Sequence, residues 1–119
     1  MKYMMMIVHS EKHREMTVPP SLYEAMGTFV GEYMEKGYLK DTAGLKPTKD
    51  GYRVRMSGRK LKTIDGPFTE TKEVVGGYAI VEVPNKDEAY TIAQRFMQIH
   101  LDHWPEFEGE CQVRPLEDM

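Results

Sequence analysis

Asp65-Gly66-Pro67-Phe68-Thr69-Glu70-Thr71-Lys72-Glu73 leads through Val74-Val75-Gly76-Gly77 into Tyr78-Ala79-Ile80-Val81-Glu82-Val83. The last six residues decide the fold. They are apolar at both alternating sets of positions apart from Glu82, and Pro84-Asn85 ends them. A strand that is apolar on both faces needs cover on both. Tyr3 to His9 has the same character. These two stretches read as central strands of one sheet.

Upstream of this stretch, Tyr52, Val54 and Met56 alternate with Arg53 and Arg55, which predicts a half-buried strand with a basic outer face. Ser57-Gly58-Arg59 makes a hairpin turn, and Lys60 to Ile64 returns antiparallel. Lys49-Asp50-Gly51 is a turn signal, and Tyr38 to Leu45 a short strand or extended loop. Leu22 to Lys36 is a helix with Leu22, Met26, Phe29, Val30 and Tyr33 as its apolar stripe. Pro20 in the first turn or Ser21 as cap starts it, and Gly37 stops it. The four-residue spacing of Gly27 and Gly31 predicts a close approach by a neighbouring backbone. Downstream, Asn85 caps a second helix and Glu88 completes a capping-box pattern. Ala89, Ile92, Ala93, Phe96 and Met97 form its buried stripe, and Trp104-Pro105 closes it. Glu110 to Arg114 is the last strand, with Cys111 and Val113 sharing a face.

The order is strand, helix, two or three strands, strand, helix, strand. It predicts a split βαβ repeat with an inserted hairpin. The fold class is α+β, a ferredoxin-like sandwich on an antiparallel sheet, as one domain over residues 1–119. Two helices cover only one face of that sheet. A second copy, sheet against sheet, is the economical cover for the other, so a homodimer is expected.

Composition narrows the function. With 40% hydrophobic and 29% charged residues, the chain is an ordinary soluble globular protein rather than a disordered one. A net charge of -3 with interspersed signs argues against a nucleic-acid partner. No segment approaches ~20 apolar residues, so no membrane span is expected. The single Cys111 excludes an intramolecular disulfide and fits a reducing, cytoplasmic setting. The methionines read as adaptable core filler.

The polar candidates centre on the opening stretch. Asp65 either caps the Gly66-Pro67 turn or acts as a general base or ligand anchor at a strand end. Glu70, Lys72 and Glu73 are either solvated surface or the rim of a cleft. In the second case Lys72 holds an anionic ligand, and Glu70 or Glu73 pairs with Arg55, Arg53 or Arg114. Phe68 is read as a core or interface anchor. His9, expected to emerge toward a polar loop, is the best-placed acid–base candidate. Gly76-Gly77 predicts a bulge or close backbone approach rather than a phosphate loop. His100 and His103, three apart near a helix end, suit the dipole there; their spacing gives only a weak metal pattern, and no metal or cofactor is expected. Cys111 is read as inert packing.

The Asp65 to Glu73 run resembles the YCII-related family, in its branch known for the Asp-Gly-Pro-Phe (DGPF) signature. The resemblance continues through Gly76-Gly77-Tyr78. It includes the opening strand with the Ala25-Met26-Gly27 helix and Gly37, the segment around His100, Trp104-Pro105 and Phe107 to Glu110, and the closing Glu110 to Pro115. It implies a ferredoxin-like fold that pairs into a dimeric α+β barrel. Some members of the branch are associated with extracytoplasmic-function sigma factors. In the YCII branch proper a His-Asp pair has been proposed as the active site; here Met26 stands near the position of its first-helix histidine.

Two functions follow as expectations. One is a small-molecule-binding protein or cofactor-independent enzyme with a polar cleft near Asp65. Its candidate catalytic residues are His9 and Asp65, and its candidate ligand-binding residues are Arg55, Glu70, Lys72, Glu73 and Arg114. The other is a non-catalytic homodimeric regulatory or interaction module, linked through the resemblance to sigma-factor systems.

Overall fold

Lys2–His9 (β1) is the centre of an antiparallel sheet in the computed structural model, which describes residues 1–12, 16–68 and 71–117. In chain order the other elements are Pro20–Glu35 (α1), Leu39–Gly44 (β2), Tyr52–Ser57 (β3), Lys60–Asp65 (β4), Val74–Glu82 (β5), Lys86–His103 (α2) and Gly109–Pro115 (β6). The main sheet runs β2-β5-β1-β6, with every pair antiparallel. This is the expected α+β arrangement, ferredoxin-like in strand order.

The register explains the core. Tyr3 stands opposite Val81 and Pro115, Met5 opposite Ala79 and Val113, and Ile7 opposite Gly77 and Cys111. Successive residues alternate faces, so these positions share one side of the sheet. Phe29 and Tyr33 of α1 and Ala89, Ile92 and Ala93 of α2 pack on that side with Tyr3, Met5 and Val81. Val81 is 1% exposed. Each large apolar side chain so buried contributes about 1.5–3 kcal/mol. The other side of β1 carries Met4 and Met6, both half-buried.

Both helices begin and end for local reasons. Pro19 precedes α1 in an extended conformation, and a proline occupies its first turn; no side chain caps it, so the start belongs to proline rather than to Ser21. Gly37 follows with φ 77°, a left-handed value that favours glycine. The Asn85 side chain accepts from the Glu88 backbone N–H at 2.9 Å at the start of α2. No helix among the described residues is long and apolar enough to cross a membrane.

Two expectations need correction. Gly27 and Gly31 face open space: among the described residues, a Cβ at either position would meet nothing within 4 Å, so no described neighbouring backbone approaches them. The hairpin also differs. β3 and β4 form their own two-stranded sheet, joined through Gly58 and Arg59 at φ 57° and 63°. Its apolar side is exposed: Tyr52 68%, Val54 59%, Met56 77% and Leu61 72%. Arg53, expected to face water, is instead half-buried, with its guanidinium 4.4 Å from the centre of the Phe68 ring. The projecting hairpin accounts for a flat molecule, 45 × 40 × 18 Å. The radius of gyration is 16.0 Å, against about 13.5 Å for a compact domain of this length.

Replacing Asn85 by Ala should cost about 1 kcal/mol in urea denaturation, with the slope unchanged; no measurable loss would show the cap to be dispensable. A second outcome concerns His100, which is buried, donates from Nδ1 to the Phe96 carbonyl at 3.0 Å, and has its pKa lowered by that burial. The unfolded chain binds this proton near pH 6.5 while the folded chain resists it. Stability is therefore fully present above about pH 6.5 and falls as pH drops below it. The native chain should lose stability between pH 7 and pH 5 more steeply than His100→Gln, by at most about 1.4 kcal/mol per pH unit for one proton. Equal slopes would remove His100 as the cause.

Candidate functional site

The end of β1 holds a built histidine. His9 pairs with Val74 of β5 on one side and Gly109 of β6 on the other. It is 8% exposed and turns inward, not out toward a polar loop as expected. The reason lies in its neighbours. The β1–β5 register shifts between Ile7 and Val8, leaving Gly76 as the extra residue of a bulge. A Cβ on Gly76 would overlap the His9 ring at Nε2, and one on Gly109 would come within 2.6 Å of the Phe107 Cζ. Both flanking strands therefore lack a side chain where an aromatic ring must lie.

His9 Nδ1 donates to the Ser10 carbonyl at 2.7 Å. Since a carbonyl only accepts, Nδ1 is the protonated partner in this bond, and Nε2 lies beside Gly76. Phe107 meets His9 edge-on, with centroids 6.0 Å apart and planes at 69°. A row of rings then runs inward: Phe107 to His100 at 5.0 Å, His100 to Phe96 at 4.7 Å, and Phe96 to Phe29 at 5.8 Å. Trp104 lies against Phe107 at 5.1 Å. His100 thus belongs to the aromatic packing. Among the described residues, no group of three or more His, Cys, Asp or Glu side chains is placed to hold a metal ion.

Gly76 also borders a cavity of about 160 Å³ between the sheet and α1. Its lining includes buried Met5, Phe29, Leu39 and Val81, half-buried Ile7 and Met26, and exposed Gly44. Cys111 contributes to the same wall, and burial pushes its thiol up to about 11, so it stays protonated at neutral pH.

The Asp65 to Glu73 run is anchored from elsewhere in the chain. Gly66 N–H donates to the Gly51 carbonyl at 2.9 Å, and a Cβ there would overlap the Thr48 carbonyl. The Phe68 N–H donates to Thr48 Oγ1 at 3.1 Å. Thr48 in turn donates from its backbone N–H and its hydroxyl to Glu11 Oε1, at 3.0 and 2.9 Å. The expected capping of this turn by Asp65 is replaced by Thr48. The Gly66–Pro67 peptide bond is cis.

Of the residues singled out from sequence, Asp65 is exposed at the base of the hairpin opposite Tyr52, and Arg55 is exposed mid-hairpin opposite Lys62. Lys72 and Glu73 are exposed and immediately precede Val74, so they stand at the same end of the sheet as His9. Arg114 is exposed and pairs with Met4, five strand residues or roughly 17 Å from His9. Among the described residues, Glu73 has no ion pair with Arg53, Arg55 or Arg114. Glu70 lies outside the described residues. The chain therefore brings His9, Lys72 and Glu73 to one end of the sheet, with Arg114 further along it and Arg55 on the separate hairpin.

Glu11, Thr48, Phe107 and Gly109 escaped the sequence reading. Glu11 and Thr48 are 37 positions apart and carry no motif between them. Glu11 Oε2 is buried without a hydrogen-bond partner among the described residues, a cost of roughly 1–3 kcal/mol. The Phe107-x-Gly109 pair before the last strand was the available signal, since a glycine at a strand start can mark close packing.

Comparison with known proteins agrees with this architecture. An uncharacterised protein of Rhizobium meliloti (strain 1021) is 34% identical over 85 residues, which cover 71% of this chain and 64% of the relative's length. The chain thus matches just under two thirds of that relative. The family description that fits is the YCII-related domain, over residues 1–106. With most of its length matched, the chain belongs to the YCII-related domain family.

Proposed function

We propose that this chain, as a member of the DGPF branch, is a cytoplasmic small-molecule-binding protein that carries out cofactor-independent acid–base chemistry at the His9 end of the sheet. The observation that carries this reading is the seating of His9. A buried imidazole is held in one tautomer by Ser10, and two adjacent strands give up side chains to make room for it and Phe107. Positioned acid–base groups need such orientation. In this reading Lys72 and Glu73 line the approach from the start of β5, and Glu70 and Asp65 are assigned to the same site from the sequence. Arg55 and Arg114 join the site from a second copy.

A second reading, the non-catalytic homodimeric module, draws on a different observation. The hairpin leaves Tyr52, Val54, Met56 and Leu61 exposed on one side, and neither helix lies on the Met4 and Met6 face. Apolar surface of this kind marks association. The dimeric α+β barrel belongs to both readings, and only the first requires a ligand.

A thermal-shift screen against small acids, amines and neutral metabolites separates the two. A ligand that raises the melting temperature of the native protein should lose at least about tenfold in affinity on His9→Gln, roughly 1.4 kcal/mol. The Asp65→Asn variant tests the strand-end carboxylate in the same assay, and unchanged binding removes Asp65 from the site. Full retention of affinity and turnover by His9→Gln would defeat the acid–base reading.

The dimer is tested by sedimentation. Native protein should run as a dimer at micromolar concentration, and the double substitution Met56→Asp with Leu61→Asp should shift it toward monomer with its circular dichroism intact. A native monomer would remove the barrel.

A further inference from the structure

We infer that the cavity between the sheet and α1 is a binding site for a small, uncharged, apolar molecule of about the size of a benzene ring. This deepens the reading of the His9 end as a ligand site and rests on it for its biological sense.

Size comes first. The cavity holds about 160 Å³. An apolar cavity of about 150 Å³ in a folded protein stays dry and takes up benzene or xenon. A ring of six carbons or a short branched chain fits, and a sugar or nucleotide does not.

Chemistry comes second. The walls are side chains such as Met5, Ile7, Phe29, Val30 and Ala79. The three hydroxyl-bearing side chains at the wall are already engaged. Thr42 donates to the Tyr78 carbonyl at 2.9 Å, the Tyr33 hydroxyl accepts from Arg95 at 2.8 Å, and the Tyr78 hydroxyl donates to Asp41 Oδ2 at 3.0 Å. The Gly76 carbonyl accepts from the Leu45 N–H at 2.9 Å. Among the described residues, no charged side chain borders the space. A charged or strongly polar ligand would leave its hydration behind and gain nothing in return. The raised pKa of Cys111 follows from burial alone and reports the same dry wall.

Access comes third. Of the lining residues Gly44 is exposed and Gly76 half-buried, and Gly76 is also the residue on which His9 rests. An occupant whose outer edge lies at Gly76 is thus directed toward the His9 ring. A ligand with an apolar body and a single uncharged polar group at one edge satisfies both surroundings.

The test uses the intact protein and two probes that share a six-carbon aromatic ring and differ in charge, benzene and benzoate, followed by backbone amide NMR shifts. Benzene should produce saturable shifts at Ile7, Gly76 and Ala79, and benzoate should bind at least roughly tenfold more weakly. Ala79→Leu fills the space from the sheet, and Val30→Phe fills it from the helix should the first variant fail to fold. Either folded variant should weaken benzene by about tenfold or more. Absence of saturable shifts with benzene overturns the inference, as does equal binding of benzoate or unimpaired binding by a folded filled variant. The acid–base reading fails separately. If benzene saturates the cavity while no metabolite depends on His9, the cavity assignment stands without it. If the His9-dependent ligands are charged and benzene does not bind, the cavity assignment falls alone.

Discussion

β1 and β5 lie side by side at the centre of a sheet that only two helices cover, and both helices lie on the same face. Tyr3, Met5 and Val81 are buried by that choice, and Met4 and Met6 are left to the other face. The pairing is regular from Lys2 to Ile7 and then slips by one residue at Gly76. A regular ladder would have continued the alternation to the strand ends with nothing new to place. The slip instead bends the strand and removes a Cβ at the point where His9 needs room. The polar end of the molecule therefore depends on a break in the same pairing that builds its core.

Much of the fold was legible because periodicity and caps are local. The double-faced apolar runs marked β1 and β5. Asn85 with Glu88 marked the start of α2, and Gly37 the end of α1. Gly76-Gly77 was legible as a bulge. Here the physical reason and the sequence signal coincide, since a glycine pair inside an apolar strand has few other uses. The start of β5 was less legible. Val74 and Val75 pair with His9 and Val8, yet next to Glu73 and Gly76 they resemble a loop edge.

The rest was not local. Alternation in Tyr52, Val54 and Met56 shows that β3 has two faces but not which one meets the protein. A two-stranded ribbon has no obligatory inside, so a single contact can decide, and Arg53 over Phe68 does so here. The support of the Asp65 to Glu73 run was equally hidden. Its turn is held by Thr48, and Thr48 by Glu11, so three distant segments share one small hydrogen-bond network. A charged residue in a polar loop offers no sign that it is bonded to a threonine nearly forty positions away. The inward turn of His9 was missed for a related reason. Its room is made by Gly76, on a different strand and far from it in sequence.

Gly76 ties these features together. It is the bulged residue of β5, it lies against the His9 ring, and it lines the cavity. Any side chain there would press on the imidazole. In the proposed reading the polar group and the apolar cavity meet at this one residue. The distribution of charge supports the same division of labour. Lys72 and Glu73 precede β5 and are exposed, while among the described residues every side chain lining the cavity is uncharged. In the proposed reading, a ligand in the cavity turns its polar edge toward the His9 end and its apolar body toward the uncharged wall, so that polarity orients it before any specific hydrogen bond is made.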